Sequence, residues 1–84
     1  TGWYDTLLTG TLKNFTGLRA NAASETARRY QRLVIGPWTH ARPTVKSTAI
    51  GDISYGPDAG FDSEGEMVRW FDAWLKGGDR SVLE

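Results

Sequence analysis

An aspartate at position 5 and the chain's single histidine, at position 40, are the residues best suited to acid–base chemistry. Histidine changes charge near neutral pH, so one ring nitrogen can take a proton from a nucleophile while the other holds a hydrogen bond. A carboxylate against that second nitrogen fixes the tautomer and stabilises the imidazolium that forms. Taken singly, each residue also has a plainer role. A histidine in a turn can serve only to donate one hydrogen bond, and Asp5 is well placed to cap a helix starting near residues 6 to 8.

The elements that must position them are legible in part. "RLVI" at 32–35 is a short apolar run ended by Gly36 and Pro37, which predicts a central, buried, parallel strand. Leu8, Leu12 and Phe15 recur at helical spacing, with Leu7 and Leu18 widening the face, and predict a helix from about residue 6 to about 20. Thr9, Gly10, Thr11, Thr16 and Gly17 weaken that helix, so its glycines make sense chiefly where its backbone packs closely against something larger. If the residues just before Asp5 end a neighbouring parallel strand, the helix is the crossover between them. Asp5 and His40 then lie beyond the carboxyl ends of adjacent strands, where open α/β sheets put their sites.

Between helix and strand, "RANAASETARRYQ" is polar and reads as a loop or a short helical extension. Residues 41–61 carry two prolines and three glycines without a sustained period, and are expected to form a long ordered loop. "FDSEGEMVRWFDAWLKGG" predicts a helix near 64–75, with a Ser63/Glu66 capping box and Gly77 at the C-cap. Met67, Trp70, Phe71, Trp74 and Leu75 share one face, expected to bury against a core.

Eighty-four residues make one small domain at most, and the absence of cysteine excludes both a disulfide framework and a thiolate metal site. A single histidine gives zinc little support, so neither a metal nor an organic cofactor is expected. No stretch approaches the roughly 20 apolar residues that span a bilayer, and no membrane partner is expected. Charge is balanced overall but divided. Residues 1–46 carry seven bases against two acids, and residues 47–84 carry eight acids against three bases. The basic "RRYQR" is followed at once by an apolar run and lies in no nucleic-acid-binding motif, so nucleic acid is not an expected partner either. With only one convincing strand, the chain is expected to be an incomplete piece of a larger α/β domain.

"GWYD" at 2–5, "LVIGPWTH" at 33–40 and "MVRWFDAWLKGG" at 67–78 occur in an order that resembles the cocaine-esterase-like and X-Pro dipeptidyl-peptidase-like branch of the α/β-hydrolases, a serine hydrolase family. The resemblance implies that residues 1–84 are the C-terminal part of a catalytic domain. They would comprise a crossover helix, one buried parallel strand, a long loop and a last helix, with a jelly-roll domain following. Asp5 would be the triad acid and His40 the triad base. Leu7, two residues beyond the acid, and Trp38 would contact substrate; the esterase branch carries an aromatic at the first of these positions.

No G-x-S-x-G elbow surrounds Ser24, Ser47, Ser54, Ser63 or Ser81, so the nucleophile is expected upstream of Thr1. The implied reaction is hydrolysis of a small-molecule ester or of a peptide or amide bond, through an acyl-enzyme. The alternative is a non-catalytic helix–strand module that binds a protein through Trp70, Phe71 and Trp74.

Overall fold

Residues 1–41 and 45–84 are described by the computed structural model. Strand β1 (Gly2–Tyr4) is followed by helix α1 (Leu8–Asn21), the short helix α2 (Glu25–Arg29) and strand β2 (Gly36–Thr39). The two strands pair in parallel, so the crossover expected around α1 is present. Helix and strand are mixed, compatible with an α/β class.

The second strand lies four residues later than expected. "RLVI" is not part of the sheet; it contributes the Val34 carbonyl, which accepts from the Thr1 amino group at 3.0 Å, while "GPWT" forms β2. The cause is a non-local contact. Gly2 sits directly on the Trp38 backbone, where a Cβ would overlap the carbonyl of Trp38, and Gly36 lies beneath the Trp38 indole. Strand β1 therefore docks beside 36–39 and leaves the preceding apolar run outside the strand pairing. Nor is β2 buried on both faces, since Pro37 and Thr39 are only half-buried. Because the Trp38 carbonyl is backbone and cannot swing aside, Gly2→Ala is expected to destabilise the fold by about 1–3 kcal/mol. A urea denaturation midpoint equal to that of the unsubstituted protein would contradict this register.

Gly2 faces Gly36 and Tyr4 faces Thr39, so β2 has one residue more than β1 between the paired positions. That bulge falls at Pro37 and Trp38, and proline, with no amide hydrogen to donate, is tolerated in a sheet at such an irregularity. The extra residue has a direct consequence. One step beyond the Tyr4–Thr39 pair, Asp5 and His40 follow side by side.

Beyond His40, residues 42–44 of the expected loop lie outside the described residues. The later part is more ordered than its composition implies. A hairpin joins β3 (Ala49–Ile50) to β4 (Ile53–Ser54), and a 3-10 turn follows at Pro57–Ala59. Gly51 takes φ of +57° as the first central residue of the two-residue hairpin turn, a position that favours glycine.

Trp38, 4% exposed, anchors this loop: its indole N–H donates to the Ala59 carbonyl at 2.8 Å and its ring stacks on Phe61 at 5.8 Å. The hydroxyls of Tyr4 and Tyr55 hydrogen-bond to each other and tie the loop to β1 as well.

Helix α3 (Ser63–Leu75) has the expected extent but a different cap. Asp62, not Ser63, accepts from the Gly65 amide at 3.1 Å. The absence of a side chain at Gly65 allows this approach, since a Cβ there would overlap the Asp62 carboxylate. Gly77, at φ of +67°, ends the helix as expected.

The apolar stripe of α3 divides instead of burying as one face. Trp70 and Trp74 meet edge to face at 6.0 Å, and Trp74 meets Tyr30 at 5.2 Å, beside the buried Ala73. Met67, Phe71 and Leu75 are exposed, Leu75 at 77%, because the 3-10 turn Arg80–Leu83 and Tyr30 cover only one side of the helix. No helix of the described residues is long and apolar enough to cross a membrane.

Candidate active site

Asp5 ends the β1 segment and leads into α1. Its amide donates back to the Gly2 carbonyl at 3.0 Å, and its own carbonyl accepts from the Leu8 amide at 3.1 Å. This turn aims the carboxylate at three donors. Oδ1 accepts from the Leu7 amide at 2.8 Å and lies 3.1 Å from Nδ1 of His40, while Oδ2 accepts from the Thr1 hydroxyl at 3.2 Å. Asp5 does not cap α1, whose N-cap position is Leu7 without a side-chain hydrogen bond; its carboxylate instead closes the turn before the helix through the Leu7 amide and pairs with His40 as well.

Geometry fixes the direction of the proton. An ionised carboxylate only accepts, so Nδ1 of His40 carries a hydrogen, and in the neutral imidazole Nε2 is then the nitrogen with the lone pair. Among the described residues Nε2 has no hydrogen-bond partner. The two side chains differ in exposure, with Asp5 at 10% and His40 at 65%, so the acid is sheltered while the imidazole is open to an incoming group. This is the arrangement of a base held by an acid.

The Asp5 carboxyl is held below the usual aspartate range, first by the Leu7 amide, which outweighs an opposing desolvation, and then by the Thr1 hydroxyl and His40. A carboxylate whose folded-state value is depressed stabilises the fold above its unfolded value and loses that contribution as pH falls through the folded value. Asp5→Asn is thus expected to flatten the acid limb of melting temperature against pH. Part of the limb should remain, because the Ser81 amide and hydroxyl likewise hold Asp79 low. An acid limb unchanged in Asp5→Asn would contradict the bonding seen at Asp5.

The structure separates the two residues expected to contact substrate. Leu7 stands beside Asp5 and is 57% exposed, whereas Trp38 is turned inward on Phe61 and Ala59. In this chain Trp38 anchors the 45–61 loop two residues before His40. An open cleft of about 350 Å³ has Trp3, Pro37 and Tyr55 in its walls but neither Asp5 nor His40.

Thr1 was not singled out from the sequence, and no local signal marks it; its contact with Asp5 exists only once β1 is seated. Among the described residues no group of three histidine, aspartate or glutamate side chains is placed to hold a metal. Set beside protein-family models, curated proteins and solved structures, the chain matches none of them.

Proposed function

We propose that this chain supplies the acid and base of a Ser-His-Asp triad in a serine hydrolase of the cocaine-esterase-like and X-Pro dipeptidyl-peptidase-like branch, as the C-terminal part of its catalytic domain. The observation that carries the reading is the Asp5 Oδ1–His40 Nδ1 hydrogen bond at the ends of two parallel strands, with Nε2 unpartnered among the described residues.

A serine from elsewhere in the domain places its hydroxyl against Nε2. That nitrogen takes the proton as Oγ attacks an ester or amide carbonyl, and Asp5 stabilises the imidazolium without itself becoming protonated. His40 then returns the proton to the leaving group. Water repeats the sequence to free the acid from the acyl-enzyme.

The exposed apolar surface supports the idea that more protein packs here. Parallel strands are ordinarily covered on both faces, yet Trp3 and Tyr4 of β1 are exposed, as are Met67, Phe71 and Leu75 of α3. Among the described residues, nothing beyond the adjoining turns of α1 lies within 4 Å of where a side chain would begin at Gly10 and Gly17, which leaves room for a close neighbour. That neighbour would be the remainder of the hydrolase domain, and the substrate a small ester or a peptide or amide.

Treatment of the intact protein with a fluorophosphonate, followed by peptide mass spectrometry, tests the reading. One serine outside residues 1–84 should be phosphonylated, and the label should fall to background in His40→Ala. No labelled serine in the folded protein would sink it.

The same exposed face of α3 favours a second reading, a module that binds a protein partner without catalysis. In that reading Phe71 faces outward while Trp70 and Trp74 hold the helix in place. A cooperative, concentration-independent melt of residues 1–84 as a monomer, together with no fluorophosphonate label, would support it over the hydrolase.

A further inference from the structure

The basic segment "RRYQR" has no part in the chemistry above, and its arginines divide into two kinds. Arg28 is structural: its guanidinium donates to the Ala22 carbonyl at 2.6 Å and closes the turn between α1 and α2. Arg29 and Arg32 instead join Arg19, from the last turn of α1, in the wall of an open cleft of about 440 Å³. That volume is within the range of small-molecule sites.

All three side chains are exposed, and none is ion-paired among the described residues. Each is nonetheless held. Arg19 lies over the Phe15 ring at 5.6 Å, Arg29 over the Tyr30 ring at 5.3 Å, and Arg32 gives one hydrogen bond to the Val82 carbonyl at 3.2 Å. Stacking steadies a guanidinium without using its N–H donors, so most of the donors remain free.

From these observations we propose that the Arg19–Arg29–Arg32 cleft binds the phosphate group of a small phosphorylated ligand. Charge favours an anion. Three guanidinium groups face one side-chain carboxylate, Glu84, in the same cleft. Shape favours phosphate. A planar carboxylate is satisfied by one arginine fork, whereas the oxygens of a phosphate accept from several directions, as three guanidinium groups around a cleft require. The site is independent of Asp5 and His40, so its test stands whether or not the protein is a hydrolase.

Titration calorimetry of the full protein with pyrophosphate at low salt reads the site directly. Saturable binding is expected. Arg29→Gln and Arg32→Gln should each weaken it about tenfold, the effect of losing one charge-assisted contact worth about 1.4 kcal/mol. Glu84→Gln should tighten binding by removing the competing carboxylate. Arg80→Gln, whose guanidinium lies over Trp74 and not in this cleft, should leave affinity unchanged.

Thermal melts with and without pyrophosphate give a second readout, and the stabilisation seen in the unsubstituted protein should be smaller in Arg29→Gln. The proposal is overturned by no binding at about 10 mM pyrophosphate, far weaker than an ordinary ligand site. An equal loss in Arg80→Gln would also overturn it, since attraction would then be general. So would much tighter binding of single-stranded RNA lost with the same arginines, which would make the cleft part of a nucleic-acid surface.

Discussion

His40→Ala is expected to lower kcat for an activated ester by about 10⁶-fold, the loss seen when the histidine is removed from a serine-protease triad. The size follows from what Nε2 does. Without it the serine hydroxyl keeps its proton during attack, and the leaving group departs unprotonated. The fold should survive the change, because the imidazole is largely exposed and contributes little packing. Asp5 is not stranded either, since it retains the Leu7 amide and the Thr1 hydroxyl as donors. A surface substitution of this kind ordinarily shifts stability by no more than about 0.5 kcal/mol. Melts before and after substitution separate lost chemistry from lost structure.

Asp5→Asn is expected to cost about 10⁴-fold in kcat, the loss that wrong-tautomer control produces in a serine protease. The asparagine amide has the size of the carboxylate but one oxygen in place of two. Because Oδ1 meets both the Leu7 amide and Nδ1 of His40, an asparagine oxygen at that place still accepts from Nδ1 but without the negative charge that stabilises the imidazolium. An amide turned to place its NH₂ on Nδ1 donates to it and drives the ring proton to Nε2, which blocks the base at the atom that must receive the serine proton. KM should change far less than kcat, because in the proposed triad Asp5 holds the histidine and would not touch the substrate. A comparable rise in KM with kcat preserved would assign Asp5 to binding instead.

The juxtaposition of these two residues was legible because a strand–helix–strand crossover leaves few arrangements, and α1 carried its helical spacing in Leu8, Leu12 and Phe15. What decided the strand position was not local. Nothing in "RLVI" reveals that Gly2 will sit on the Trp38 carbonyl, and the apolar run was the stronger strand signal until that contact moved the pairing to "GPWT".

The helix cap had two competing residues in a row, and the approach of Asp62 toward Gly65 selected between them. The β3–β4 hairpin did leave a trace, a glycine followed by an aspartate between isoleucines, but the prolines on either side hid it within an apparently irregular loop. Trp38 shows the limit most plainly. The family resemblance implied a contact with substrate, and no sequence signal announced that its indole N–H and Phe61 stack hold the loop that follows the histidine.

The central claim, that His40 backed by Asp5 is the proton acceptor for a serine nucleophile, is tested most directly by stopped-flow acylation. Intact protein is mixed with excess p-nitrophenyl ester, and nitrophenol release is followed through the first turnover in the unsubstituted protein and in folded His40→Ala. The account predicts a burst of about one equivalent in the first and none in the second. Acylation of folded His40→Ala at close to the original rate would contradict it.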